Sequence, residues 1–340
     1  MPVIQKKRII GLDIGSSAVK IVQSNGSNRN WKFGFAQLPD GVITGNTINS
    51  SKLLANTVKR AMNAGHIRGG SAALSISGSD VIIRSAVYPR MNADQLRQNV
   101  IDEIAGYLSV KPELYHIDYK ITELLSEGTA QQYRVMIVAV PKNIVTPYLN
   151  ALSLAGLKIT SVDVAANIKE KLVNALAGTA QHFAVIDLGM NSTVIDTFQN
   201  NRYFINKVSQ ACVNGAAQDL ASIQSTDQLR ATEMLFGDGM NEASIQVVNT
   251  YVDQIVFDAQ RVLDYFRSRN NQQPITEIYL CGGGAAIPSI TSLFRDRLEM
   301  PVTSMSDVLS GVLTISRTKA SLNLASFACA AGATLLEVDG

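Results

Sequence analysis

The sequence predicts an α/β protein of two matched halves, with a smaller unit inserted in the first, and three observations carry that prediction. Strands and helices alternate along the 340 residues, the pattern of a layered α/β architecture. Two apolar strands, one near the start and one past the middle, end in nearly the same spelling: Ile10-Gly11-Leu12-Asp13-Ile14-Gly15-Ser16-Ser17 and Val185-Ile186-Asp187-Leu188-Gly189-Met190-Asn191-Ser192-Thr193. Between them, residues 81–164 behave as a unit of their own.

The first half opens on the strand that ends at Asp13. Strands 20–23 and 31–38 follow, joined by the turn-rich Ser24-Asn25-Gly26-Ser27-Asn28. Leu53, Leu54, Val58 and Met62 recur at helical spacing, the helix stops before Gly65, and 72–76 is the next strand. The triplet Lys6-Lys7-Arg8 reads as a solvated lead into the first strand.

The inserted unit begins with strand 81–87. Its helix, 93–108, carries Leu96, Val100, Ile104 and Leu108 along one face; Asn92 is placed as N-cap, Gln95 as its reciprocal partner, and Met91 as a staple onto Leu96. Strands 115–125 and 133–140 come next. A second helix presents Val145, Leu149 and Leu152 and stops at Gly156, suited to a left-handed cap; Pro147 belongs in its first turn or at a bend. Strand 157–162 is expected to close the unit, giving the strand-helix-strand-strand-helix-strand order of a split βαβ sandwich.

The second half restarts at His182 with the strand ending at Asp187, then strands 193–198 and 203–208. Gly215 lies in a small-residue segment that enters a helix. Ile245, Val248, Val252, Ile255, Val256, Ala259, Val262, Leu263 and Phe266 mark one face of a long helix. Strand 275–281 reads as buried and delivers Gly282-Gly283-Gly284-Ala285, after which Pro288 starts a helix carrying Leu293 and Phe294. The expected division is therefore 1–80 for the first lobe, 81–164 for the insertion, 165–181 for a return to the first lobe and 182–340 for the second lobe.

Composition excludes several classes. A 46% hydrophobic and 17% charged chain is that of a globular protein, and 30 basic against 28 acidic side chains leave a net +2, too little for an electrostatic footprint on nucleic acid. No run is long enough to cross a bilayer; the nearest, 322–336, is short and interrupted by Asn323, Ser326 and Thr334. Asp13 interrupts the apolar stretch after Arg8 too early for a secretory leader. Cys212, Cys281 and Cys329 are scattered and odd in number, which fits free thiols in a reducing compartment. His66, His116 and His182 lack metal-ligand spacing, and no nucleophile elbow occurs.

The chemistry lies in three glycine-bearing loops. Gly15, Ser16 and Ser17 can turn backbone N–H and hydroxyl donors toward phosphate, with Lys20 beside them as a point charge; Gly189, Asn191 and Ser192 repeat the donor set from the other half. Asp13 and Asp187 repel phosphate, so their expected work is to hold Mg²⁺ through its waters and to orient an attacking water. Gly282, Gly283 and Gly284 offer backbone that can lie flat against a base or sugar. Gly215 at the helix entry joins this set. Arg261, with Asp258, stands on the long helix either as a nucleotide contact or as part of a solvated i,i+3 pair. Each loop alone is a common turn; their order and spacing together describe a clamp around one nucleotide.

The same loops resemble those of the actin, Hsp70 and sugar-kinase superfamily. Within it the chain resembles the PilM family of type IV pilus assembly proteins, relatives of the cell-division protein FtsA. The resemblance rests on residues 11–20, on Val138-Ala139-Val140-Pro141-Lys142 leading to Ala155-Gly156-Leu157-Lys158 and Val162-Asp163-Val164, on residues 262–266 and on Leu280-Cys281-Gly282-Gly283-Gly284-Ala285. It covers nearly the whole chain and implies an actin-like, ribonuclease H-like, two-lobed fold with an FtsA-type insertion, binding ATP between the lobes with phosphate loops at Asp13 and Asp187 and an adenosine loop at Gly282. It further implies a scaffold at the cytoplasmic face of the inner membrane, docking the cytoplasmic tail of a bitopic partner such as PilN and communicating with the pilus assembly machinery, with at most slow ATPase activity and room for self-association. Direct membrane insertion is not expected, because the tail from Leu335, with Glu337 and Asp339, is acidic and short. Two departures are visible: Met190 is bulkier than the small residue usual in the second loop, and Leu108-Ser109-Val110 lacks the Ile-Pro usual after the insertion's first helix. The alternatives are a sugar or small-metabolite kinase of the superfamily, which would need a sugar-binding cleft, and an FtsA-like filament, which would end in a basic amphipathic helix.

Overall fold

The two matched strand ends fold into two five-stranded sheets of the same topology. The computed structural model describes residues 9–25, 28–45, 47–108, 111–127, 130–178, 180–312 and 322–335. The basic triplet at 6–8, Ser109-Val110 and the chain beyond Leu335 lie outside the described residues.

In chain order the first half contains β1 (Ile10–Ile14), β2 (Ala18–Asn25), β3 (Asn28–Gln37), the short pair β4 (Ile43–Thr44) and β5 (Thr47–Ile48), α1 (Ser51–Ala64) and β6 (Ser71–Ile76). Next come β7 (Ile82–Pro89), α2 (Ala93–Leu108), β8 (Tyr115–Glu127), β9 (Ala130–Pro141), α3 (Lys142–Leu154), β10 (Lys158–Val164) and α4 (Ala165–Leu176). The second half holds β11 (Phe183–Leu188), β12 (Thr193–Gln199), β13 (Arg202–Ser209), α5 (Val213–Gln224), α6 (Gln228–Phe236), α7 (Glu242–Arg269), β14 (Glu277–Cys281), α8 (Ile290–Leu298), β15 (Val302–Ser304), α9 (Met305–Val312) and α10 (Ala328–Gly332).

The first sheet has the order β10-β6-β1-β2-β3 and the second β15-β14-β11-β12-β13. In each, a central strand runs antiparallel to the strand after its hairpin and parallel to a strand on its other side. The carboxyl ends of the central strands β1 and β11 carry Asp13 and Asp187, so the sheet topology places both hairpins at corresponding points, where open α/β sheets offer ligand crevices.

Strand 157–162, expected to close the inserted unit, does something else. As β10 it pairs in parallel with β6, matching Val162 with Leu74 and Asp163 with Ser75, and so forms the edge of the first sheet. A parallel edge strand needs a crossover, and α3, packed against α1 and β10, supplies it. What stands apart is β7, α2, β8 and β9, a three-stranded sheet of order β7-β9-β8 whose core sets Leu96, Val100 and Ile104 of α2 against Val135, Ile137 and Ala139 of β9. Its helix starts as expected: the Gln95 N–H donates to Asn92 Oδ1 at 2.9 Å while Asn92 N–H returns to Gln95 Oε1 at 3.4 Å. Pro147 falls in the second turn of α3 rather than the first, and Gly156 takes the left-handed cap at φ +85°.

One core runs through both halves. Leu12, Leu74 and Val140 on the first-lobe side join Phe183, Phe198 and Tyr279 of the second sheet in a continuous buried cluster. The other face of the second sheet is covered by α5, α6, α7 and α8. The apolar run near the C-terminus is a buried core segment: small residues let α10 press against β1 so closely that a side chain at Gly11 would meet the Ala330 carbonyl oxygen at 1.9 Å. Among the described residues no helix is long and apolar enough to cross a membrane.

Candidate nucleotide site

The first hairpin assembles from strand register alone. Asp13 and Lys20 face each other across β1 and β2, hence on the same face of the sheet, and the Lys20 ammonium lies 3.1 Å from Asp13 Oδ2. Gly15 N–H closes the turn onto the Ala18 carbonyl at 3.0 Å, and Leu38 N–H donates to the Ser17 carbonyl at 2.8 Å. Gly15, Ser16 and Ser17 are half-buried at the tip. A side chain at Gly15 would crowd the Lys20 Nζ at 3.3 Å. Burial pushes the Lys20 pKa down, but Asp13, with Asp187 and Cys329 after it, outweighs this, so the ammonium is held above its usual value.

The second hairpin is clamped by the start of α5. Gly189 N–H donates to the Ser192 carbonyl at 3.2 Å, and a side chain at Gly189 would strike that oxygen at 2.5 Å. The Val213 and Asn214 N–H groups donate to the Gly189 and Met190 carbonyls at 3.2 and 2.9 Å, while Asn214 Nδ2 donates to Asn191 Oδ1 at 2.6 Å. Met190 turns inward and packs against the second-lobe core, which explains how a bulky residue is accommodated there. The Gly215 N–H is also taken, by the N-cap Cys212 Sγ at 3.4 Å.

The glycine run packs over this loop. Gly282, at φ +88°, sits where a side chain would come within 2.5 Å of Asp187 Oδ1 and 2.6 Å of the Leu188 carbonyl oxygen. Its N–H donates to the Ala325 carbonyl at 3.1 Å. Gly284 is wedged between Leu188 and Val213, where a side chain would meet each at 2.9 Å, whereas Gly283 has open space above it. Both hairpins border α10: it packs against β1, and its Cys329 Sγ lies 3.9 Å from Asp187 Oδ2, a thiol pushed well up by burial first and by Asp187 and Asp13 after it.

Arg261 does not join this group. It lies on the exposed surface of α7, its guanidinium 5.9 Å from the Phe257 ring centre. The α7 stripe that includes it continues Val247, Thr250 and Gln254, which with Cys212, Gly215 and Tyr251 line a cavity of about 190 Å³ beside the start of α5.

A third group was not legible as a site residue. Lys169 of α4 reaches across to the second sheet and lies 2.6 Å from Asp196 Oδ2 and 3.3 Å from Asp187 Oδ2. Lysine and Asp196 are 2% and 1% exposed, against 23% for Asp187. Burial pushes the Lys169 pKa down, but Asp196 and then Asp187 outweigh it, and the value lies well above that of an ordinary lysine. The next residue, Glu170, is equally buried and receives Lys120 of β8 at 3.4 Å, Arg202 of β13 at 3.0 Å and the Tyr203 N–H at 2.7 Å. The available signals were an aspartate inside the apolar Val194-Ile195-Asp196-Thr197-Phe198 and the charges Lys169-Glu170-Lys171 inside an apolar helix.

This network bears on the expected Mg²⁺. A hard divalent cation needs oxygens that are not already neutralised. Asp13 is paired with Lys20 and Asp187 with Lys169. No group of three His, Cys, Asp or Glu suited to a metal occurs among the described residues. Both carboxylates expected to hold Mg²⁺ through its waters are thus ion-paired with lysines in this structure. His182 is a core histidine, its ring nitrogens meeting Gln273 Oε1 at 3.0 Å and the Asn200 N–H at 3.2 Å, and the three cysteines are free.

The model of the family described as type IV pilus assembly protein PilM matches residues 11–336. Among solved structures, the chain is similar to one described as the PilM-PilN type IV pilus biogenesis complex, at a TM-score of 0.84 and 22% identity over 99% of this chain and 100% of that one. It is similar to the ethanolamine utilization protein EutJ from Carboxydothermus hydrogenoformans, at 0.60 and 11% identity over 98% and 91%. A third, MreB 5 of Spiroplasma citri bound to AMPPNP, gives 0.51 and 13% identity over 91% and 94%. The fold common to these is the actin-like one.

Proposed function

The chain belongs to the type IV pilus assembly protein PilM family, and from that premise we propose that it is a nucleotide-binding scaffold of a pilus, or related secretion, assembly complex. The observation that carries the nucleotide part is that the Asp13 and Asp187 hairpins stand at corresponding strand ends on either side of α10, with the glycine run lying over the second. ATP would enter between them. Ser16, Ser17 and the backbone at Gly15 would meet the phosphates from one side, with Lys20 as the charge. Asn191, Ser192 and the loop at Gly189 would close from the other. Gly283, the glycine with open space above it, offers flat backbone to the sugar or base. The N–H groups of Val213, Asn214 and Gly215 are already bonded, so α5 contributes position rather than donors. Arg261 over Phe257 remains a proposed contact to the base, for it shares the stripe of α7 that lines the neighbouring cavity.

Mg²⁺ has no place in this scheme as a protein-held ion, because both carboxylates are paired with lysines. ATP turnover is at most slow, as the family resemblance implies, and the nucleotide acts as a switch. The division into lobes follows the sheets, with 82–141 as the insertion.

The partner part rests on the family and on the insertion's surface. Ile121 and Leu124 stand exposed there on one face of the sheet, apolar positions suited to a short segment of another protein. That segment is the cytoplasmic tail of a bitopic, PilN-like membrane protein, which would hold the chain at the cytoplasmic face of the inner membrane.

Two measurements test the proposal. A fluorescent ATP analogue should bind the isolated protein, and Lys20→Met should weaken binding by about tenfold, the loss expected for one charge-assisted phosphate contact. Capture from solubilised membranes should recover a small bitopic protein, and Ile121→Asp with Leu124→Asp should abolish recovery. Absence of nucleotide binding would remove the switch, and recovery of no membrane protein would remove the scaffold.

A further inference from the structure

The second hairpin holds a carboxylate pair, Asp187 and Asp196, of the kind that bridges a cation. Asp196 sits inside the second sheet on β12, opposite Val185 of β11, and Asp187 ends β11. Two ionised carboxylates in one buried site are unstable without a compensating positive charge.

That charge comes from another element. Lys169 Nζ, carried by the helix that links the two halves, stands 2.6 Å from one carboxylate and 3.3 Å from the other. A hard divalent ion bridging the same two groups would need contacts of roughly 2.0 to 2.6 Å to each, in the space the ammonium fills. The other Asp187 oxygen faces the backbone of the glycine run, and the side chain as a whole is 23% exposed. Gly282 lies so close to Oδ1 that even a methyl group would meet it at 2.5 Å. The remaining neighbours are thiols: Cys329 Sγ is 3.9 Å from Asp187 Oδ2, and Cys281 is the register partner of Asp187. Both thiols are driven well above their usual pKa by burial first and by Asp187 second, and stay protonated and neutral.

We infer that Lys169 is the resident cation of the second hairpin: it occupies the place between Asp187 and Asp196 that a divalent metal would otherwise take, and withdraws Asp187 from metal chemistry. Lys169 is thus a positioning residue. It fixes the second loop to α4 by charge rather than through an exchangeable ion, and α4 carries, one residue on, the Glu170 that ties the inserted unit's Lys120 to Arg202 of the second sheet. The metal half of this inference rests on geometry alone; its consequence for nucleotide rests on the reading of the cleft proposed above.

The probe for the first half is Mn²⁺ without nucleotide, followed by electron paramagnetic resonance. The wild-type protein is expected to leave Mn²⁺ free, Lys169→Met to bind one ion, and Lys169→Met with Asp187→Asn to lose it again. Wild-type binding that Asp187→Asn abolishes overturns the inference, and so does a folded Lys169→Met variant that binds none. Should Lys169→Met not fold, Lys169→Met with Asp196→Asn removes both members of the buried pair, and the wild-type and Asp187→Asn titrations still decide the metal question. For nucleotide, Asp187→Asn should leave affinity for the fluorescent ATP analogue with Mg²⁺ within about threefold of wild type, the scale of a minor electrostatic contact. A loss of about tenfold or more, the size expected for a metal-mediated contact, overturns it. Failure of the wild type to bind nucleotide at all counts against the proposed function, and the Mn²⁺ titrations then decide this inference by themselves.

Discussion

The two hairpins are near copies in sequence and in sheet position, yet they neutralise their aspartates in opposite ways. In the first, the residue opposite Asp13 is Lys20, so the counter-charge comes from the same hairpin, half-buried and seven residues away. In the second, the residue opposite Asp187 is Val194, and the counter-charge comes from Lys169 of α4, buried and held by a second carboxylate. The first pair is local, with both members on one hairpin. The second is a tertiary lock that joins the linking helix to the loop. The hairpins therefore differ in what they can do for a nucleotide: the first carries its own lysine at the loop, the second is framed by a lysine from another element.

Breaking the lock should have the largest effect. Lys169→Met leaves two carboxylates without a cation and should cost about 3–5 kcal/mol in urea denaturation. Lys169→Met with Asp196→Asn should recover most of that loss, and no recovery would mean that Lys169 matters for packing alone. Gly282→Ala should follow, at about 3 kcal/mol, because a side chain there combines a left-handed backbone at φ +88° with contacts of 2.5 and 2.6 Å to the second hairpin. Gly283→Ala, with open space above it, is the control and should change stability little.

The local pair should respond less. Asp13→Asn keeps the shape and removes a partly buried charge, so its cost should be about 1 kcal/mol; a cost as large as that of Lys169→Met would erase the contrast between the hairpins. The pH dependence separates them too. A lysine whose folded pKa is raised contributes stability that is complete below its unfolded value of about 10.4 and is lost as pH rises through the higher folded value. The stability difference between wild type and Lys169→Met with Asp196→Asn should therefore stay constant through neutral pH and narrow only as pH rises above about 10.4. The smallest effect belongs to the clamp on the second loop: Cys212→Ser replaces a thiol cap on Gly215 N–H by a hydroxyl, and should raise stability by about 0.5 kcal/mol.

Much of this was visible in the residues. The Asn92 and Gln95 capping pair, the left-handed stop at Gly156 and both Asp-bearing strand ends depend on neighbours a few positions away, and short-range spacing reports such features. The strand at 158–164 was legible as a strand but not as a member of the first sheet, since alternation along a strand does not say which edge it pairs with. Likewise Asp196 read as an ordinary strand position, because its partner lies in α4, 27 residues earlier and outside the motif.

The sequence by itself determined the elements, the two hairpins, the glycine run and the family, all of which are encoded in local patterns of side-chain size, polarity and backbone freedom. Only the tertiary structure decided that Asp187 is bound to a lysine while Asp13 keeps its own. A charge buried between elements far apart in the chain is selected by the desolvated space where they meet, and that space exists only once both sheets and α4 have packed.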